Sequence, residues 1–208
     1  MKSVIILDKQ KECLCVKVIE QRRSIRKYKS RPVSRDLIEK ILQAGILAPS
    51  AKNRQPWHYT VATGRSKDEA VSLFRKGLER ERMTPFLPKS TAYQSGAWQT
   101  VSIMAEAPVL IFVSNELARP LQQTLDIDER ESEICNIESI GASIENMILT
   151  ATGLGLGTLW ICDTCFAHPE LSAWLGHELC AALAIGYADE QPEQRPRKSI
   201  SECTDWRG

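Results

Sequence analysis

Two short, continuously apolar runs constrain this chain more than any other feature. Residues 109–114 (VLIFVS) and 179–187 (LCAALAIGY) lack the alternation of a strand that keeps one face in water. They read as strands buried on both faces. Ile140, Ile144, Met147, Ile148 and Ala151 recur at i, i+4, i+7, i+8 and i+11, the spacing of a helix whose apolar stripe faces a core. Residues 57–63 (WHYTVAT) and 158–162 supply two further strands, rich in aromatic and β-branched side chains. Helices and strands mix without strict βαβ alternation, which predicts an α+β fold.

The remaining helices follow from periodicity and punctuation. Residues 13–22 predict a helix with Val16 and Ile19, and Cys15 beside them, facing inward. Pro32 breaks the chain and Ser34 caps a new helix, along which Leu37, Ile38, Ile41, Leu42, Gly45 and Ile46 repeat until Pro49. The turn formers of 48–56 mark a loop. Ser66 and Glu69 fit a capping box for a helix running to Met83. Residues 84–97 read as a mobile loop, 101–106 as the close of a short helix, and 115–135 as a charged excursion or lid. Pro169 opens a short helix through Trp174. Gly153, Gly155 and Gly157 follow a helix, and Thr158 stands where a dinucleotide fingerprint needs glycine. They read as a helix cap and tight turn.

The 208 residues fit one domain, 1–208, with no visible linker or repeat. Net charge is +1, which carries no signature of nucleic-acid binding. The basic residues are nevertheless clumped. RRSIRKYKSR (22–31) holds six cations and no acid, and Arg195, Arg197 and Lys198 form a second group. Local positive charge on a near-neutral chain points to a small anion. Seven cysteines, an odd number, and an opening apolar run of only four residues predict a reducing, cytoplasmic setting with free thiols and no membrane span.

Four constellations carry candidate chemistry. Arg22, Arg23, Ser24 and Arg26 offer guanidinium forks and a hydroxyl that match phosphate oxygens, although a solvated basic loop reads the same way. Residues 48–57 (APSAKNRQPW) put Ser50, Asn53 and Gln55 on a loop beside a strand, suited to a heterocycle edge or a polyol. Arg195-Pro196-Arg197 holds two guanidiniums apart, able to clamp a phosphate. Cys162-x-x-Cys165 admits three readings: a redox dithiol, a metal site with His168 and His177, or inert thiols. Its spacing is not a usual structural zinc pattern and a second C-x-x-C is missing, so no metal site is assigned. Cys13 and Cys15 diverge on a helix and take no joint role. Met83 and Met104 read as core, and His58, between Trp57 and Tyr59, as one face of a sheet.

The order of these pieces resembles the nitroreductase family. Arg22–Arg26, Pro32-Val33, APSAKNRQPW at 48–57, Gly153-Leu154-Gly155, Trp160-Ile161, Gly186-Tyr187 and Arg195–Arg197 follow one another as that family's motifs do, over about residues 14–206. The resemblance implies a central mixed, mostly antiparallel sheet flanked by helices, in an intertwined homodimer with FMN at the interface. Arg22, Ser24 and Arg197 would hold the FMN phosphate, assisted by Arg23 and Arg195, with Arg26 near the flavin pyrimidine ring. Pro49, Ser50, Ala51 and Asn53 would reach the partner subunit's flavin, with Gln55 nearby. The backbone around Ile161, Cys162 and Asp163 would face flavin N5, the Cys162 N–H being a candidate donor. Trp98 would line the flavin pocket or pack beside it.

The activity implied is transfer of a hydride from NADH or NADPH, through the flavin, to a small nitroaromatic, quinone or activated alkene in ping-pong fashion. No catalytic side chain is named, because the cofactor carries the chemistry. Relatives commonly carry glycine or Glu-Gly after Trp-Ile, whereas this chain has Cys162-Asp163, which reshapes the pocket floor. Alternatives are a specialised flavin enzyme of the same fold, for reductive dehalogenation, flavin fragmentation or heterocycle oxidation, and a non-catalytic FMN-binding protein.

Overall fold

The computed structural model describes residues 14–208. In chain order these form α1 (Leu14–Gln21), α2 (Arg35–Ile46), β1 (Trp57–Ala62), α3 (Gly64–Met83), α4 (Gln94–Glu106), β2 (Val109–Asn115), α5 (Ile127–Gly153), β3 (Gly157–Ile161), α6 (His168–Leu175), β4 (Glu178–Gly186) and α7 (Ile200–Cys203), with short 3-10 turns between. The two apolar runs lie side by side as β2 and β4, inside a sheet of order β1-β2-β4-β3. Every residue of β2 is buried. One sheet face, through Leu110, Phe112, Leu159 and Ala182, packs with Phe74 and Leu78 of α3, Met104 of α4 and Leu171 of α6. The other, through Trp57, Ile111, Val113 and Leu183, packs with Ile38 and Ile41 of α2 and with Ile140, Ile144 and Met147 of α5. The α+β expectation and the inward stripe of α5 hold.

The mostly antiparallel sheet holds as well: among the described residues the ladders are all antiparallel, with one parallel bridge, Ser24 to Thr158. Several other expectations need correction. Helix α1 forms, but it buries none of its residues, and Val16, Ile19 and Cys15 are exposed. Val18 approaches α5 at Gly153, where an added Cβ would stand 3.7 Å from its Cγ2. Apolar spacing shows that a helix has a stripe but not which way it faces. Cys13 lies outside the described residues.

The cap of α3 stands three residues earlier than expected. The Thr63 N–H donates to Ser66 Oγ at 3.2 Å, so Ser66 takes the role given to Glu69. Ser34 does occupy the N-cap of α2, without a side-chain bond. Met83 is 85% exposed while Met104 is fully buried. Residues 84–97 are not one loop: they contain a 3-10 turn and the start of α4. The carboxylate of Glu81 ties this segment down, accepting from the N–H of Phe86 (2.7 Å) and of Leu87 (3.2 Å) and pairing with Arg80. The supposed excursion ends at Asp126, whose side chain accepts from Glu129 N–H and starts α5.

Candidate functional site

The basic segment 22–31 is threaded along the edge of the sheet. Ile25 N–H donates to Thr158 O (2.8 Å), Lys29 N–H to Tyr187 O (2.9 Å), and Asp189 N–H to Lys27 O (2.9 Å). The phenol of Tyr28 is buried and donates to Ile25 O at 2.7 Å. Burial raises its pKa, so it stays a donor. Gly157 belongs to this seam: an added Cβ would lie 2.7–2.9 Å from three atoms of Ile25. The glycine run therefore ends a helix at Gly155, where φ is +75°, and admits Ile25 at Gly157.

This seam delivers the arginines to one groove, made of two adjoining cavities. One, of about 320 Å³, is lined by Ile19, Arg22, Arg23, Ser24, Arg26, Arg195, Arg197 and the 192–194 turn. The other, of about 400 Å³, shares Arg26 and Arg195 and continues past Gln99, Thr100, Trp160, Ile161, Cys162 and Asp163. Among the described residues Arg22, Arg23, Arg26, Arg195 and Arg197 form no ion pair. The guanidinium donors of Arg23, Arg26 and Arg197 bond to backbone carbonyls. Glu190 accepts from the backbone N–H groups of Arg26 and Lys27 and leaves those side chains alone. The result is a concentration of five guanidiniums beside the Ser24 hydroxyl, with Glu193 the one carboxylate residue lining that cavity and none of the five ion-paired among the described residues. That donor set fits a phosphate.

At the far end Ile161 closes β3 and the chain turns at Cys162 into a 3-10 segment. Asp163 is held by Thr100 of α4, whose hydroxyl donates to Oδ2 at 2.7 Å. Burial, and then the Asp163 carboxylate, raise the pKa of both Cys162 and Cys165. Both shifts run opposite to the lowering that activates a redox thiol, and both thiols are exposed. Among the described residues neither cysteine joins a group of three metal-type ligands.

The second loop stands apart. Ser50 Oγ accepts from Gln55 N–H (3.0 Å), Ala51 N–H donates to Ser139 Oγ (3.2 Å), and Arg54 donates to Ser132 Oγ (2.6 Å). Lys52, Asn53 and Gln55 all have positive φ, near 50°, a conformation costly for non-glycine residues. None of Pro49, Ser50, Ala51, Asn53 and Gln55 lines the arginine groove of the same chain. Sequence reading missed Gln99 and Thr100, since α4 was expected only from 101, and Trp160, a strand aromatic left 39% exposed. Trp98 packs partly buried against the core.

The model of the nitroreductase family matches residues 19–187, and the chain belongs to that family. A candidate NADH dehydrogenase/NAD(P)H nitroreductase of Archaeoglobus fulgidus is 31% identical over 148 residues, covering 71% of this chain and 66% of that protein. The chain spans between 54% and 66% of the lengths of three curated relatives it matches. Among solved structures, a BluB-like flavoprotein of Clostridium difficile 630 superimposes with TM-score 0.75 at 26% identity, covering 93% of this chain and 98% of that one. A candidate nitroreductase of Desulfovibrio desulfuricans, solved in complex with FMN, shares the fold with TM-score 0.68 at 24% identity, covering 95% of this chain and 99% of that one.

Proposed function

We propose that this chain is an FMN-dependent oxidoreductase that takes electrons from NADH or NADPH and delivers them to a small electron-poor acceptor, as a homodimer. The observation that carries the reading is the groove in which five guanidiniums, none of them ion-paired among the described residues, surround Ser24. The groove runs from the arginines to the Cys162 turn, so a phosphate would sit at one end and a flat ring system at the other. The flavin and FMN-bound proteins with this fold support the choice of cofactor. Bound there, FMN would supply two-electron transfer between nicotinamide and acceptor.

The chain's own residues then have distinct tasks. Arg22, Arg23, Ser24, Arg195 and Arg197 bind the phosphate. Arg26, shared by both cavities, places a fixed cation beside the ring end, where negative charge is favoured. Ile161, Cys162 and Asp163 shape the floor. Pro49, Ser50, Ala51, Asn53 and Gln55 serve the partner subunit's site. The exposed apolar side chains of α1 (Leu14, Val16, Ile19), the end of α2 (Ile46) and α5 (Ile127, Ile134, Ile137) support a partner that covers them. Among the described residues no helix is long and apolar enough to cross a membrane. The six described cysteines are free, which supports a reducing compartment such as the cytoplasm.

The test is the visible spectrum of the purified protein, followed by anaerobic addition of NADH or NADPH and turnover with a quinone and a nitroaromatic. A flavin spectrum bleached by nicotinamide is expected. Arg22→Ala with Arg197→Ala removes charge-assisted bonds of about 1.5–3 kcal/mol each and should weaken FMN binding at least about tenfold. A colourless protein that takes up no FMN overturns the proposal, and undiminished binding by the double variant overturns the phosphate assignment. Bleaching without turnover of either acceptor would favour a specialised acceptor at the Asp163 floor.

A further inference from the structure

A second constellation lies outside the groove. His58 is on β1, Glu116 follows β2, and His177 precedes β4. The register explains why they meet. His58 pairs with Ser114 and Trp57 with Asn115, and Glu116 N–H extends that ladder to Pro56 O at 2.9 Å. Glu116 is thus the diagonal neighbour of His58 on one face. Across β2 and β4, Asn115 pairs with Glu178, so one further step sets Glu116 opposite His177. The sheet order β1-β2-β4 lays two imidazoles and a carboxylate side by side.

We propose that His58, Glu116 and His177 bind one divalent first-row transition ion of the zinc class. Their ligand atoms all lie within 4.8 Å of one another. His58 Nδ1 is 2.9 Å from Glu116 Oε1, and the two imidazole centroids are 4.5 Å apart with planes tilted 36°. Zinc bonds of about 2.0–2.2 Å put tetrahedral ligands roughly 3.3–3.5 Å apart, so small side-chain adjustments close the site. His58 and Glu116 are about half exposed, at 43% and 46%, and have room to make them. Two imidazoles and one carboxylate select zinc, copper or nickel over calcium and magnesium, which prefer all-oxygen sets.

The surroundings suit an ion with open positions. Glu116 and His177 border a cavity of about 640 Å³ that also holds His168 and Glu178, themselves paired at 3.0 Å. Water or a small anion in that cavity completes the coordination. Ser114, opposite His58, carries a buried hydroxyl with no hydrogen-bond partner.

The test is equilibrium dialysis of the tag-free, chelator-stripped, full-length protein, carrying whatever flavin it purifies with, against zinc and cobalt. One ion per chain is expected, retained in the Cys162→Ser/Cys165→Ser variant, with cobalt giving visible bands and no thiolate charge-transfer band. His58→Ala and His177→Ala should each weaken binding at least tenfold. His58→Gln and His177→Gln, which keep side-chain bulk, should do the same with unchanged circular dichroism. Absence of stoichiometric binding, binding that survives His58→Ala/His177→Ala, or loss of binding in the cysteine variant would each overturn the proposal.

Discussion

Gly157→Ala tests the link between the sheet edge and the arginine groove. The added methyl would stand 2.7 Å from Ile25 Cγ1 and 2.9 Å from its Cβ and Cγ2, against a comfortable carbon separation of about 3.5–4.0 Å. Ile25 has nowhere to retreat. It is 6% exposed, and its N–H is held by Thr158 O at 2.8 Å. Because its Cβ is among the clashing atoms, a rotamer change does not relieve the overlap. Overpacking of this kind costs about 1–3 kcal/mol. At about 2 kcal/mol, a domain of this length should melt about 4–8 °C lower.

The strain is directed at the site, because Ser24 and Arg26 flank Ile25 and both line the groove. FMN binding should weaken along with the melting temperature. Ile25→Ala alone leaves a cavity worth about 2–5 kcal/mol. In the double variant the new methyl occupies part of that space, so the combined loss should fall short of the sum by at least about 0.5 kcal/mol. Thermal denaturation with and without FMN reads all three variants. An unchanged melting temperature in Gly157→Ala, or strict additivity in the double variant, would refute the packing argument.

Two further outcomes follow from buried charge. Glu81→Ala strands the N–H groups of Phe86 and Leu87, while Arg80 keeps its pair with Glu170. A loss of about 1–3 kcal/mol, with faster hydrogen exchange at those two amides, is expected, and a loss under about 1 kcal/mol would contradict the tether. His168 has its pKa lowered by burial, only partly opposed by Glu178. The unfolded chain therefore takes up this proton first as pH falls below about 6.5, and stability drops through that window. Denaturant titrations between pH 7 and 5 should show a shallower decline for His168→Gln than for the wild type, and identical slopes would dismiss His168 as the source.

What could be read from the sequence is what is local or periodic. The stripe on α5, the buried runs of β2 and β4, and the ordered motifs from Arg22 to Arg197 needed no partner to be seen. What could not be read depends on register. Thr100 meets Asp163 across 63 residues, and Ile25 meets Gly157 only because the bridge from Ser24 to Thr158 aligns them. His58, Glu116 and His177 are scattered in the chain and adjacent only because β2 lies between β1 and β4. The stripe of α1 was legible but its direction was not, since Val16 and Ile19 face away from their own core. The same limit governs the proposed flavin site. The loop carrying Ser50 and Asn53 is bonded to Ser132 and Ser139 on α5, and it stays out of the groove formed by its own arginines. If both halves serve one flavin, they must come from different chains, which is the join the proposed homodimer would make.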